Sequence, residues 1–186
     1  MKLAILAALS TLACAASQSY FVGYDSLSPG PVDPNPFKGL SYGDQFTVAR
    51  RAKVAPTLYR PKKNPNVLAL APQPPGKFLG SVRKAPTADT FAAKKISFAC
   101  VTDQKGKTVP VDCTVLFEGM QNNDLGIPKV QTAKYASTPR LQRVDFEGFT
   151  DLRTLDFTVS KAGEDDKLSQ DVTLILDNFA YVVNSK

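Results

Sequence analysis

The sequence predicts an all-β protein, an antiparallel β-sandwich with a Pro-rich, irregular N-terminal arm. From Asp89 to the C-terminus, apolar and polar residues alternate with a period close to two, which is typical of half-buried strands. Turn sequences separate these strands at intervals of roughly ten residues, as in sandwiches and barrels. No segment shows a sustained helical period. A closed barrel is the alternative architecture.

The first 16 residues have the features of a secretory signal peptide. Lys2 precedes an apolar run from Leu3 to Ala13, and Ala13-Cys14-Ala15 offers a small-residue cleavage site. The run is shorter than the roughly 20 residues that span a bilayer. A core helix and a lipidated Cys14 are the alternative interpretations. We therefore expect a secreted, extracellular protein, cleaved after Ala15 or Ala16.

Residues 17–88 form the predicted arm, and residues 89–186 form the sandwich on which it packs. Eleven of the 14 prolines lie between positions 29 and 86, and proline lacks the N–H donor that a central strand needs. Short apolar pieces within the arm predict short strands, at 45–49, 67–70 and 78–80.

The basic residues are concentrated in the same part of the chain. Residues 1–86 carry a net charge of +8, whereas the remainder carries −2. A basic half of this kind favours an anionic surface, such as a cell wall or an acidic polysaccharide, although a solvated basic segment is the simpler interpretation. Within it, Arg50-Arg51 is interpreted as ordinary surface charge or as a dibasic processing site.

Cys100 and Cys113 are predicted to form a disulfide. Removal of the signal peptide removes Cys14 and leaves these two cysteines, an even number in an oxidising compartment. The alternation in 91–101 and 109–118 predicts a hairpin around a polar turn. Both cysteines fall on its apolar face, so we expect a bridge between neighbouring strands.

The C-terminal strand, residues 172–183, is the most apolar stretch after the signal peptide. It is rich in β-branched and aromatic residues and contains neither Gly nor Pro, which predicts a strand covered on both faces. Asp177 lies in the middle of this run, where a carboxylate needs hydrogen bonds, a cation or an exposed edge. Further strands are predicted at 129–135, 141–146 and 155–159.

The C-terminal half resembles a group of small secreted fungal proteins of unassigned function. The shared features are the paired cysteines, Phe-Glu-Gly-Phe at 146–149, and a terminal strand containing Asp177-Asn178. This terminal strand is also similar to that of jelly-roll, galactose-binding-like carbohydrate modules. The resemblance covers residues 89–183 and implies a jelly-roll-like sandwich, with a structural Ca²⁺ held by Asp177 and backbone carbonyls. The alternative role for Asp177 is to accept backbone N–H bonds at a bulge.

The composition excludes several classes of active site. The chain has no histidine, so it cannot build a Ser-His-Asp triad, a Cys-His pair or a zinc site that uses histidine. No nucleic-acid-binding motif is present, and no apolar stretch after the signal peptide is long enough to span a membrane. Chemistry based on carboxylate, lysine, tyrosine or a Ser/Lys pair remains available.

Acidic and tyrosine side chains supply the remaining candidate sites. An acidic cluster before the last strand lacks EF-hand spacing and is interpreted as a solvated loop rather than a Ca²⁺ site: Glu164, Asp165, Asp166 and Asp171. Four other carboxylates alternate with apolar residues, which favours a solvent face over a glycosidase pair: Glu118, Asp145, Glu147 and Asp156. Tyrosines that could stack on sugars, or else fix the arm to a sheet, are Tyr20, Tyr24, Tyr42 and Tyr59.

Taken together, these features predict a secreted, non-catalytic protein that binds a glycan or a cell-wall surface. No cofactor is expected, apart from the structural Ca²⁺ at Asp177 that the resemblance implies, and neither nucleic acid nor a membrane is an expected partner. The alternative is an effector-like secreted protein that binds a host protein. A carboxylate-dependent glycoside hydrolase is the third class considered.

Overall fold

The computed structural model describes residues 16–55, 66–71, 76–122, 126–162 and 172–185, except for the side chain of Lys161. In these ranges the chain is almost entirely β-structure, with a 3-10 turn at Tyr24–Ser26 and one short helix, α1, at Arg51–Val54. The strands are β1 (Ala16–Val22), β2 (Gly30–Pro31), β3 (Leu40–Tyr42), β4 (Phe46–Arg50), β5 (Asn66–Leu70), β6 (Phe78–Lys84), β7 (Thr90–Gln104), β8 (Lys107–Pro110), β9 (Cys113–Gln121), β10 (Lys129–Tyr135), β11 (Gln142–Asp145), β12 (Leu152–Ala162) and β13 (Val172–Ser185).

The strands form two antiparallel layers that pack face to face and are continuous with each other where Leu152 of β12 pairs with Phe91 of β7. The front sheet has the order β3–β6–β12–β9–β10. The back sheet is built on β7 and β13: β8 and β11 pair with β7, β5 and β1 pair with β13, and β4 and β2 follow β5. Between the layers, Phe98 meets Phe117 edge-on with ring centroids 5.9 Å apart. The predicted antiparallel β-sandwich is therefore confirmed.

β13 lies at the centre of the back sheet and is paired along both edges. β7 runs along its whole length, whereas β5 and β1 pair with its first and second halves. Leu174, Ile175 and Leu176 are buried, because neighbouring strands and the front sheet cover this apolar run. The pairing with β7 shifts register after Asp177, and Asn178 has φ of 53°. The Asp-Asn pair thus forms a β-bulge.

The N-terminal half belongs to both sheets. The short strands predicted at 45–49, 67–70 and 78–80 correspond to β4, β5 and β6, and β6 pairs with β12. The sequence did not predict β1, which pairs with β13. Of the prolines described in this half, Pro29, Pro34, Pro36 and Pro86 occupy connections, and Pro31 lies in the two-residue edge strand β2. Of the predicted signal peptide, residues 1–15 lie outside the described ranges, and Ala16 begins β1 opposite Ser185.

The hairpin that begins with β7 is shorter than predicted. β7 and β8 are joined by Lys105 and Gly106, which have φ of 54° and 77°, as a two-residue hairpin turn requires. The prediction of one continuous partner strand over 109–118 is wrong. β8 ends at Pro110, after which the Val111 N–H makes one more bond to the Cys100 carbonyl at 3.1 Å, and β9 then begins in the front sheet.

The Cys100–Cys113 disulfide is present, with Cα atoms 6.2 Å apart. Because Cys100 lies on β7 and Cys113 begins β9, the bridge connects the back sheet to the front sheet. The sequence predicted a bridge between neighbouring strands of one hairpin, and this part of the prediction is wrong. The disulfide is therefore a covalent link across the sandwich.

Candidate functional site

The predicted site residue Asp177 forms a buried ion pair. Its Oδ2 atom contacts Nη2 of Arg51, and both side chains are at most 3% exposed. Asp177 Oδ1 also accepts the backbone N–H of Asn178 at 2.8 Å. The interpretation of Arg51 as ordinary surface charge is therefore wrong, since α1 places this guanidinium inside the protein. A processing protease could not reach Arg51 in the folded chain.

The electrostatics of Asp177 follow from this burial. Removal of the carboxylate from water raises the pKa of Asp177, and the positive charge of Arg51 opposes that rise. Its two oxygens face a guanidinium and a backbone N–H, so a cation at this position would compete with Arg51. In the described part of the chain, no three His, Cys, Asp or Glu residues are grouped for a metal. The Ca²⁺ site at Asp177 stays a prediction.

The candidate tyrosines do not form an exposed platform. Tyr24 and Tyr42 are buried, with ring centroids 6.2 Å apart, and burial raises the pKa of both phenols. Tyr20 is half-buried, and its hydroxyl donates to Gln18 at 2.7 Å. Tyr59 lies outside the described residues. Tyr24 and Tyr42 therefore stabilise the contact between the N-terminal strands and the core, which is the structural role considered for them.

The candidate carboxylates separate into different environments. Asp145 forms an exposed ion pair with Arg143, and Glu147 is exposed after β11. Glu118 and Asp156 lie directly opposite each other on β9 and β12. The acidic cluster at 164–166 and Asp171 lies outside the described residues. Of these four carboxylates, the structure thus brings Glu118 and Asp156 together.

Glu118 and Asp156 belong to the solvent-facing side of the front sheet. In β12 the side chains of Leu155 and Phe157 are buried in the sandwich, and the intervening Asp156 is half-buried on the opposite side. The same alternation places Glu118 on this side of β9. Register then aligns Ser81, Asp156 and Glu118 in one row across β6, β12 and β9. We call these three residues the polar row.

A cleft of about 340 Å³ opens at the β6 end of the polar row. Its lining combines hydroxyl, amide, carboxylate and guanidinium groups with two aromatic rings, of which Tyr42 is buried and Phe78 exposed: Ser41, Tyr42, Gly43, Asp44, Gln45, Phe78, Ser81 and Arg83. The loop between β3 and β4 supplies one wall, and Gly43 N–H fixes it by donating to the Ser81 carbonyl at 3.1 Å. Polar side chains therefore converge beside an apolar surface, as in many ligand sites.

Ser81 has a buried hydroxyl without a hydrogen-bond partner in the part of the chain that the structure describes. Its side chain is 7% exposed, and Oγ makes no hydrogen bond to any described residue. A buried hydroxyl without a partner is costly. Because Ser81 also lines the cleft, a ligand or water entering there can supply the missing hydrogen bond.

Phe78 is the exposed aromatic residue at this cleft, with 51% of its surface accessible. A register shift between Phe157 and Thr158 turns Phe78 outward, whereas Leu79 and Gly80 face the core. The alternation of β6 alone would not have placed this ring on the solvent face, because a bulge changes the direction of one side chain. Sequence reasoning therefore identified the short apolar piece at 78–80 but missed the site.

No protein-family model and no curated protein sequence matches this chain. A mutant of the family 29 carbohydrate-binding module CBM29-2 is 13% identical, with a TM-score of 0.44 over 92% of this chain and 93% of that chain. A CBM4 structure is 12% identical, with a TM-score of 0.39 over 87% and 97%. The arabinose-bound α-L-arabinofuranosidase MgGH51 is 10% identical, with a TM-score of 0.37 over 88% of this chain and 25% of the enzyme. At these values we draw no argument about function or site residues from the likenesses.

In the ranges given above, no helix has the length and hydrophobicity needed to cross a bilayer.

Proposed function

We propose that this protein is a secreted, non-catalytic glycan-binding protein and that the cleft beside Phe78 is its binding site. The observation that carries the proposal is the exposed Phe78 ring next to convergent polar groups in one cleft. A sugar presents C–H groups on one ring face and hydroxyl groups around its rim. It can therefore pack against the aromatic ring while its hydroxyls bond to the cleft walls.

The polar lining matches the hydrogen-bonding needs of sugar hydroxyls. Each hydroxyl both donates and accepts, so acceptors and donors are needed at close range. Asp44 accepts, Arg83 donates, and Gln45 can do both. Ser81 Oγ offers a buried position that gains a hydrogen bond when the cleft is filled. A purely apolar ligand would leave these groups without partners.

The arrangement of carboxylates supports binding rather than hydrolysis. Glycosidases place two carboxyl groups on either side of the scissile bond. Among the residues that the structure describes, the cleft lining contains one carboxylate, Asp44. Glu118 and Asp156 point from adjacent strands of the same sheet face, so they do not flank a bond between them. Release of shortened products from an oligosaccharide would overturn the non-catalytic part of the proposal.

The direct test is a glycan array followed by titration calorimetry on Phe78→Ala. We expect the parent to bind at least one oligosaccharide and Phe78→Ala to weaken that binding about tenfold, equivalent to roughly 1.4 kcal/mol. Phe21→Ala is the matched control, because Phe21 is 59% exposed but lies on β1 of the back sheet. Equal weakening by both variants would contradict the assignment of the cleft. Capture of a host protein without any glycan binding would favour the effector-like alternative.

Secretion forms the second part of the proposal and has its own test. The apolar run Leu3–Ala13 with its small-residue exit supports it. N-terminal sequencing of protein recovered from the medium should begin at Ala16 or Ser17. Intracellular protein that retains Met1 would contradict it.

A further inference from the structure

The polar row contains two acidic side chains that face each other. Asp156 and Glu118 are register partners on β12 and β9, and both are half-buried. Among the described residues, neither of these carboxylates is found in an ion pair. Like charges directly opposite each other on neighbouring strands destabilise a sheet. A bound cation would remove that repulsion.

Ser81 provides an independent sign that a ligand binds here. It is the third member of the row, directly opposite Asp156 on β6. Its hydroxyl is buried, faces the same side of the sheet, and has no partner among the described residues. With strands about 4.8 Å apart, the three side chains span roughly 10 Å. The row therefore extends the cleft across the sheet by a length comparable to that of a short oligosaccharide.

From these features we infer that the site prefers a saccharide with protonated amino groups, such as an oligomer of glucosamine. This inference rests on the proposed glycan-binding function and specifies its ligand class. A protonated amine donates three hydrogen bonds, and charge-assisted bonds to carboxylates are about twice as strong as neutral ones. Glu118 and Asp156 receive the ammonium, while Ser81 bonds to an adjacent hydroxyl.

The other charged groups near the row leave this preference in place. Arg83 lies one row away, opposite Thr154, and lines the cleft with Asp44. Its guanidinium suits the hydroxyl oxygens of a neighbouring sugar unit. Lys134 lies at the β10 edge, opposite Thr114, beyond the row. A divalent metal is less suited, because Ca²⁺ takes six to eight oxygen ligands and the row offers two carboxylates and one hydroxyl.

The test compares a glucosamine tetramer with its fully N-acetylated form by calorimetry. The two ligands differ in charge but share the same sugar backbone. We expect the parent to bind the charged tetramer about tenfold more tightly. Glu118→Gln and Asp156→Asn should each remove most of that difference while leaving affinity for the acetylated tetramer within about twofold. Higher salt should weaken binding of the charged tetramer selectively, because ions screen exposed charges.

Glu147→Gln is the matched control, since it removes one exposed negative charge outside the polar row. It should leave both affinities unchanged, and an equal effect of Glu147→Gln would show that only net charge matters and overturn the inference. Equal binding of the two tetramers by the parent would overturn the inference while the glycan-binding function stands. Binding of neither tetramer, nor of any oligosaccharide on the array, would overturn both. Tight binding of Ca²⁺ that needs Glu118 and Asp156, without preference for the charged tetramer, would replace the saccharide by a metal.

Discussion

Replacement of Arg51 by Met should destabilise this protein strongly. The change removes the cation that contacts Asp177 but keeps a side chain of similar length, so the space at α1 stays filled. Asp177 then remains buried with the Asn178 N–H as its observed partner. Removing one member of a buried ion pair costs roughly 3–5 kcal/mol, because the remaining charge is no longer compensated.

The adjacent arginine supplies the control for this experiment. Arg50 is exposed, whereas Arg51 is 3% exposed, so Arg50→Met loses the same charge without uncovering a buried partner. Surface substitutions of this kind change stability by about 0.5 kcal/mol or less. Urea unfolding of both variants, analysed with a common m-value, measures the difference between their free energies of unfolding.

The pH dependence of Arg51→Met provides a second measurement. Burial raises the pKa of Asp177, so protonation favours the folded state. That stabilisation is fully present below the unfolded pKa of about 3.9 and is lost as the pH rises through the folded pKa. Without Arg51 the folded pKa rises further. The penalty of Arg51→Met should therefore be smaller at about pH 4 than at about pH 7.

A double mutant tests whether the pair itself is responsible. In Arg51→Met/Asp177→Asn both charges are gone, and the amide retains an acceptor oxygen for the Asn178 N–H. This variant should recover at least about half of the stability lost by Arg51→Met alone, since no charge remains buried. A loss below about 1 kcal/mol for Arg51→Met, or strict additivity in the double mutant, would refute the reasoning.

Three other predictions follow from the same structure. Reduction of Cys100–Cys113 should lower the free energy of unfolding by about 3 kcal/mol, and an unchanged urea midpoint in reductant would contradict this. Burial raises the pKa of the phenols of Tyr24 and Tyr42. The contribution of these phenols to the free energy of unfolding is therefore complete below about pH 10, and it falls by up to about 1.4 kcal/mol per phenol for each further pH unit. Their phenolate absorbance should appear together with the loss of circular dichroism, not before it. Glu118→Gln should stabilise the unliganded protein by about 0.2–1 kcal/mol by removing the repulsion from Asp156, and a lower melting temperature would argue against that repulsion.

The location of the disulfide shows what sequence periodicity can predict and what it cannot. The alternation around Cys100 and Cys113 predicted two strands with both cysteines on the apolar side, and both cysteines are buried. The same alternation holds whether the second strand pairs with the first or crosses to the opposite sheet. Only the packing of the two sheets decided that β9 belongs to the front layer.

The sequence by itself determined the fold class, the strand character of most segments and the oxidised cysteine pair. These depend on the local period and on residue type, which are properties of short stretches of chain. It also indicated that Asp177 needs hydrogen bonds, a cation or an exposed edge, because a charge in the middle of an apolar strand cannot be buried without partners.

The tertiary structure decided which residues meet. Arg51 and Asp177 are 126 positions apart, and nothing near either residue in the chain specifies the other. The polar row of Ser81, Asp156 and Glu118 depends on the register of three strands, and the outward direction of Phe78 depends on one bulge. A shift of one residue in register would turn each of these side chains to the opposite face. The candidate site is therefore a product of strand pairing, which the local pattern of the chain does not encode.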